Sequence, residues 1–269
     1  MSKLLGEVAL ISGGGGLLGK EHALALCSEG ATVVLTDINE FGLKQAQDWL
    51  LERGHKVLAI KADLTNQNSL ALLDDQIKEH ELAVSVLVNN AAINHSITLD
   101  TLKEDTSVEN FSLERWNAEI QVNLTSAFLC SKIFGSQMAK RGRGCIVNIA
   151  SDLSVIAPDN RLYSAEDSHI DKSKAKSISY SVSKTALVAL TKYLAVYWAE
   201  DGVRVNALSP GGIYVNQPDK FVEKIQKLIP MKRMASPDEY RGALVFLCSK
   251  DSSYMTGHNL VIDGGRSVI

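Results

Sequence analysis

Ser12-Gly-Gly-Gly-Gly-Leu-Leu-Gly19 joins a short apolar run, Glu7–Ser12, to a stretch with helical spacing of Leu, Ala and Cys, Leu17–Glu29. A glycine run between a strand and a helix lets the backbone approach a pyrophosphate closely. The helix then presents free N–H groups and its positive dipole end to the anion. The turn is therefore read as a cofactor cradle built by Ser12, Gly13, Gly15, Gly16, Leu17, Leu18 and Gly19. A second strand, Ala31–Asp37, ends on a carboxylate that follows Gly19 at close to the ~20-residue spacing expected for an acid that accepts hydrogen bonds from adenosine ribose hydroxyls. A 2′-phosphate would meet Asp37 as a like charge, and position 16 in the turn is Gly rather than a basic residue. NAD is expected over NADP, with Lys20 as the counter-indication.

Outward from this turn the alternation continues. Helix Glu40–Arg53, strand His55–Asp63, helix Asn66–His80 and the almost wholly apolar strand Val84–Asn89 come first. After a polar stretch, Asn94–Ser112, a long helix is expected from about Leu113 to Arg141, then a strand, Cys145–Ala150. A charged segment leads to helix Tyr180–Asp201 and strand Val203–Leu208. A loop, Pro210–Pro230, holds one short helix near Phe221–Leu228, and helix Pro237–Ser249 and strand Asn259–Ile262 close the chain. Repeated β-α-β with apolar strands predicts an α/β, single-domain, doubly wound Rossmann fold over residues 1–269. It would have a parallel sheet of about seven strands with helices on both faces.

Composition agrees: 269 residues, 45% hydrophobic, 22% charged, net charge −3. A chain of this size buries a full core unaided, and its charge gives no reason to expect nucleic acid or an anionic membrane as partner. Cys27, Cys130, Cys145 and Cys248 form no CxxC pair and sit in apolar periodic stretches, so reduced core thiols are expected and no metal site. No leader-like apolar segment is read near Met1, and the cytoplasm is the expected location.

Further motifs occur in a fixed order: Asn89-Asn90-Ala91-Ala92, Asn123 in Val-Asn-Leu, Ser151 ending Ile-Val-Asn-Ile-Ala-Ser, Tyr180-Ser-Val-Ser-Lys184, Asn206-Ala-Leu-Ser-Pro210-Gly211, and Ser253-Tyr-Met-Thr-Gly257 before Val261-Ile-Asp-Gly-Gly265. This set resembles the short-chain dehydrogenase/reductase family over nearly the whole chain. One departure is Leu17, where the family's opening Thr-Gly-x-x-x-Gly-x-Gly has its middle glycine. Another is Val215, where a Thr is common; Asn216 is the substitute. The resemblance implies that Asp63, with Ala62 and Leu64, flanks the adenine, beside Ile38. Asn90, Ala91 and Ala92 line the cofactor, and Pro210, Gly211 and Ile213 meet the nicotinamide. Asn123, Ser151, Tyr180 and Lys184 form a catalytic tetrad, with Asn123 anchoring a water that relays protons from Lys184. It also implies a homotetramer or homodimer.

The chemistry asked of these residues is hydride transfer between a secondary alcohol and a ketone, with a proton moved at oxygen. A free tyrosine has a pKa near ~10, too high for a base at neutral pH. Lys184, four residues on, shares a helix face with Tyr180. An ammonium at ~4 Å stabilises a phenolate by about 4 kcal/mol at a dielectric of ~20, which is roughly three pKa units. Tyr180 is therefore expected to titrate near neutrality, with Ser151 holding the substrate oxygen.

The interval from Ser151 to Tyr180 is much longer than the family pattern. Its insertion, about 152–179, carries Asp159, Arg161, Tyr163, Glu166, Asp167, His169, Asp171, Lys172, Lys174 and Lys176. It is read as a substrate loop facing a second loop at about 210–235; a subunit contact or a solvated surface loop is the competing reading. Substrate contacts are expected from Asn94, Asp152, Arg161 and Tyr163, with Arg161 first. The glycine turn, the insertion and Leu-Ser-Pro-Gly-Gly are similar to the flagellin-modification sub-branch associated with bacterial surface-sugar biosynthesis. That similarity implies a sugar, sugar phosphate or nucleotide sugar as substrate. A 3-oxoacyl or polyol reductase is the alternative enzyme, and a non-catalytic NAD-binding scaffold the alternative of another class.

Overall fold

A computed structural model describes residues 2–94, 105–164, 171 and 173–269. Seven parallel strands form one sheet in the order β3-β2-β1-β4-β5-β6-β7. They are β1 (Val8–Ser12), β2 (Thr32–Asp37), β3 (Val57–Lys61), β4 (Val86–Asn89), β5 (Gly144–Ile149), β6 (Val203–Pro210) and β7 (Asn259–Ile262). The order runs outward from β1 in both directions. The cleft at that reversal, beyond the carboxyl ends of β1 and β4, is where such sheets bind ligands.

Alternate strand residues supply two separate cores. Ala9 and Ile11 of β1, Val33 and Leu35 of β2 and Val86 and Val88 of β4 face one side. There they meet Ala23 and Leu26 of α1 (Leu17–Ser28), Leu43 and Leu50 of α2 (Glu40–Leu51) and Leu244 of α9 (Arg241–Cys248). Leu10, Val34 and Leu87 face the other side, against Leu70 and Ile77 of α3 (Gln67–Glu79), Phe134, Met138 and Leu194. A strand covered on both faces has no polar side to present, hence the unbroken apolar runs. All four thiols are free, three of them buried.

The long central helix is not uniform. α4 (Leu113–Ile120), α5 (Ser126–Cys130) and α6 (Ser136–Lys140) are joined by two π turns, Gln121–Thr125 and Ser131–Gly135. α7 (Ile178–Tyr197) starts two residues before the predicted helix, so Tyr180 and Lys184 both lie in its first two turns. The predicted helix Pro237–Ser249 divides into a 3-10 turn, Pro237–Tyr240, and α9. Ser236 and Glu239 form a capping box at the start of that turn. α8 (Asp219–Lys227) falls where the short loop helix is expected.

The two polar insertions hold each other. Thr106 Oγ1 donates to the Ala175 carbonyl at 2.8 Å, and the Ala175 N–H donates back to Thr106 Oγ1 at 2.7 Å. Glu166, Asp167, His169 and Lys172 lie outside the described residues. No described helix is long and apolar enough to cross a membrane. No group of three or more metal-ligating side chains occurs among the described residues.

Candidate active site

A cavity of about 1010 Å³ opens at the carboxyl ends of the central strands. At one end lies the glycine turn. Gly13 has φ +63°, and a Cβ there would stand 2.8 Å from Ala91 Cα, so neither the conformation nor the space admits a side chain. Gly19 is closed differently, because its Cβ would lie 2.2 Å from the Gly13 carbonyl oxygen. Leu17 is tolerated in place of a glycine because it is the first residue of α1, half-exposed, after Gly16 in extended backbone. The cap residue Gly16 gives α1 no side-chain acceptor, so the first-turn N–H groups face the cavity without one. That cradle fits the pyrophosphate of a dinucleotide. Asp37 closes the same end. Its Oδ2 accepts from the Gly15 N–H at 3.0 Å and its Oδ1 from the Asn39 N–H at 2.9 Å, fixing the carboxylate in the wall. Ile38, Ala62, Asp63 and Leu64 line the wall beside it.

Asn90 ties β4 to this turn. Its Nδ2 donates to the Ser12 and Gly13 carbonyls at 3.0 and 3.1 Å, while Ser12 Oγ accepts from the Asn90 and Ala91 N–H groups at 2.8 and 3.0 Å. Ser12, Gly15 and Gly19 therefore do not line the cavity; they build its wall from behind. Ala91, Ala92, Pro210, Gly211 and Ile213 line it farther along, joined by Val215 and Asn216.

At the other end Ser151, Tyr180 and Lys184 converge, all buried and all lining the cavity. Lys184 Nζ donates to the Ile149 carbonyl at 2.6 Å and stands 5.8 Å from the Tyr180 ring centroid. Burial pushes Tyr180 up to about 12, with interaction with the Ser151 hydroxyl working the other way. Burial pushes Lys184 down to about 7, and the charge of Lys176 adds to that. Burial thus works against the lowering of Tyr180 expected from Lys184. The ammonium sits in the same water-poor wall as the phenol, so its own charge is suppressed.

Two further placements differ from expectation. Asn123, in the first π turn, does not line the cavity. Its Oδ1 accepts from the Ile93 N–H at 2.6 Å and its Nδ2 donates to the Ile93 carbonyl and Ser183 Oγ at 3.1 and 3.2 Å. The amide holds the segment after β4 against α7. Arg161 is also outside the cavity, its exposed guanidinium paired with Asp159 at 2.6 Å. Asp159, two residues earlier, captures it within one turn. Lys20, the counter-indication for NAD, stands 5.4 Å from the Trp49 ring centroid and does not line the cavity.

Asp152, Tyr163 and Asn94 do line the cavity. Ser151 Oγ donates to Asp152 Oδ1 at 3.0 Å, and Arg266 Nη1 donates to Asp152 Oδ2 at 2.8 Å in a buried ion pair. Sequence reasoning missed Arg266. It also missed an apolar wall of Leu162, Phe221, Ile225 and Met234, against which the Tyr163 ring packs 5.8 Å from Phe221. Burial holds the Tyr163 phenol well above its ordinary range.

A sheet reversing at β1, a pyrophosphate cradle and a Tyr–Lys pair in one cavity define a class of dinucleotide-dependent oxidoreductase. The family described as short chain dehydrogenase matches residues 7–166, and a second family, described as enoyl-(acyl carrier protein) reductase, matches residues 168–267. The chain belongs to the short-chain dehydrogenase family and is an NAD(P)-dependent oxidoreductase. It is 32% identical to an NAD-dependent glycerol dehydrogenase of Listeria innocua, over 97% of this chain and 94% of that protein. It is also 32% identical to a 2-dehydro-3-deoxy-D-gluconate 5-dehydrogenase of Bacillus subtilis, over 97% of this chain and 95% of that one. A gluconate 5-dehydrogenase from Burkholderia cenocepacia, solved with NADP and tartrate, superposes with TM-score 0.85 at 27% identity, over 99% of this chain and 97% of that one.

Proposed function

We propose that the chain interconverts a secondary hydroxyl and a ketone on a small polyol or sugar-derived molecule, with NAD as the preferred cofactor. The observation that carries this reading is the convergence of Ser151, Tyr180 and Lys184 in the cavity whose far end holds the glycine turn and Asp37. When bound, the nicotinamide supplies the hydride chemistry and, oxidised, a positive charge. The Tyr180 phenol would give its proton to a ketone oxygen in reduction, leaving a phenolate, and in oxidation that phenolate would receive the proton of the hydroxyl. Ser151 turns its hydroxyl from Asp152 to the substrate oxygen and fixes it beside Tyr180. Lys184, pushed down to about 7, gains and loses a proton near neutrality and so resets Tyr180 after each turnover. Asn123 positions this machinery through Ile93 and Ser183.

Size supports a small substrate. The cavity of about 1010 Å³ takes the dinucleotide as well, whereas pockets for a single drug-sized ligand run on the order of 300–1,000 Å³. What remains suits a short polyhydroxylated chain better than a second nucleotide. The surface-glycan sub-branch has its support in sequence motifs, namely the glycine turn, Asp152-Leu-Ser154, the insertion and Leu208-Ser-Pro-Gly-Gly212. The relatives act, by name, on glycerol, a deoxygluconate and gluconate. NAD is favoured because Asp37 stands at the adenosine end and no described Arg or Lys lines the cavity there. A homo-oligomer belongs to the same proposal. Tyr193, Val196 and Tyr197 form an exposed stripe at helical spacing on α7, with Tyr193 and Tyr197 stacked. The test is kcat/KM with NAD and with NADP on glycerol, xylitol and D-gluconate. NAD should win on at least one of them, and Asp37→Ala should narrow the gap. Preference for NADP overturns the cofactor assignment, and no turnover of any of the three overturns the substrate class.

A further inference from the structure

Among the described residues, charge at the catalytic end of the cavity is unbalanced. Three cations line it there: Lys176, Lys184 and Arg266. Arg266 is neutralised by Asp152 at 2.8 Å, both nearly inaccessible. Lys184 is held by the Ile149 carbonyl. Asp159, the remaining carboxylate at that end, is committed to Arg161 at 2.6 Å. Among the described residues neither Lys184 nor Lys176 forms an ion pair with a carboxylate, and of the two Lys176 is the one whose ammonium is not fixed by a backbone carbonyl. Its Nζ donates to the neutral Asn94 side-chain oxygen and stands 4.2 Å from the Tyr180 ring centroid.

The position is built. The Lys176 N–H donates to Asn160 Oδ1 at 3.2 Å, and the neighbouring Ala175 is locked to Thr106, so the backbone that carries Lys176 is anchored on both sides. The next residue, Ser177, donates to the buried Glu119 at 2.6 Å. A lysine on a solvated loop keeps its charge in water. This one is brought over the phenol that moves the proton, where burial pushes it down to about 8. The nearby carboxylates Glu119 and Asp152 favour its charge only in part, being committed to Arg115 and Arg266, so a cation retained at such a cost is matched to an anion that arrives with the substrate.

Resting on the polyol and sugar reading above, we infer that Lys176 recognises a carboxylate on the substrate, making a sugar acid the preferred class over a neutral polyol. One ammonium that no ion pair holds and no carbonyl fixes answers one negative charge. A phosphate, carrying about −1.5 to −2 at neutral pH, would leave charge facing Asp152. Asn94 shares the site and holds Lys176 toward the cavity until the carboxylate replaces it. Arg161, captured by Asp159, does not take this role.

The experiment compares kcat/KM for D-gluconate, xylitol and xylitol 5-phosphate, with NAD, in the wild type, Lys176→Met and Lys176→Arg. Alongside, the melting temperature is read with NAD and each compound. The wild type is expected to favour D-gluconate over xylitol at least tenfold. Lys176→Met should cut that ratio about tenfold, mostly through KM, and lose the melting shift given by gluconate, and Lys176→Arg should recover part of both. A wild type that favours xylitol or the phosphate overturns the inference. So does an equal loss on gluconate and xylitol in Lys176→Met, which would mark a lysine that tunes Tyr180 instead. Xylitol turnover without any preference for gluconate sinks the carboxylate alone, whereas no turnover of any compound sinks the underlying substrate class.

Discussion

Lys184 carries a stability consequence that can be worked out by sign. Its folded pKa, about 7, lies below the ordinary value of 10.5. Between those pH values the unfolded chain binds the extra proton, so stability rises with pH through that window; below about 7 both states are protonated and the penalty is constant. Lys176, pushed down to about 8, acts in the same direction. Tyr180, raised to about 12 from 10.0, opposes them only above pH 10. The urea midpoint should therefore climb from pH 7 to pH 9, and Lys184→Met should flatten the climb and be more stable than wild type at pH 7. A flat wild-type profile, or an equal climb in the mutant, contradicts the burial of a lysine charge here. Gly19 gives a second test. A Cβ there would lie 2.2 Å from the Gly13 oxygen. Gly19→Ala should cost at least the ~1–3 kcal/mol of ordinary overpacking and weaken NAD binding, and chemical denaturation with NAD titration reads both. A variant with wild-type stability and affinity would refute the close approach.

At the scale of elements, strands and helices were legible because each needs only local pattern: alternate apolar residues feeding two cores, and polar caps at Asn39 and Asn66. The ends were less so. β3 stops at Lys61 opposite Asp37, the last residue of β2, and the Ala62 N–H makes the closing hydrogen bond of that ladder to the Asp37 carbonyl at 3.1 Å; where a partner strand ends is not carried by local pattern. Among site residues, Ser151, Tyr180 and Asp37 reach the cavity as expected from their places at strand and helix ends. Arg161 misled because charge was weighed without its neighbour; an Asp two residues before an Arg is a visible local trap. Arg266 had no such signal, since its partner Asp152 lies 114 residues away. That ion pair fastens the 3-10 turn Arg266–Val268 to Ser151. Arg266→Met should cost ~3–5 kcal/mol by leaving Asp152 buried and unpaired, and adding Asp152→Asn should return a good part of it. Thermal melts of the single and double variants check this. Simple additivity of the two losses would mean the pair is not coupled.

The whole molecule places the glycine turn and the Ser151, Tyr180 and Lys184 cluster at opposite ends of one cavity, and leaves Tyr193, Val196 and Tyr197 exposed on the outer face of α7. If that face joins subunits, Val196→Asp should lower the sedimentation coefficient while NAD binding persists in the smaller species. A wild type that already sediments as a monomer would remove the interface. The central claim is narrower: one hydroxyl, on Tyr180, moves the proton that accompanies hydride transfer. Tyr180→Phe removes that oxygen and leaves the ring, the Lys176 contact and the cofactor end in place. Its rate of NADH formation on the best polyol or sugar acid, measured beside NAD binding by direct titration, is the most direct test. The expected result is a loss of ~10²–10⁴-fold in kcat with NAD affinity within about twofold of wild type. Undiminished turnover in Tyr180→Phe would contradict the account.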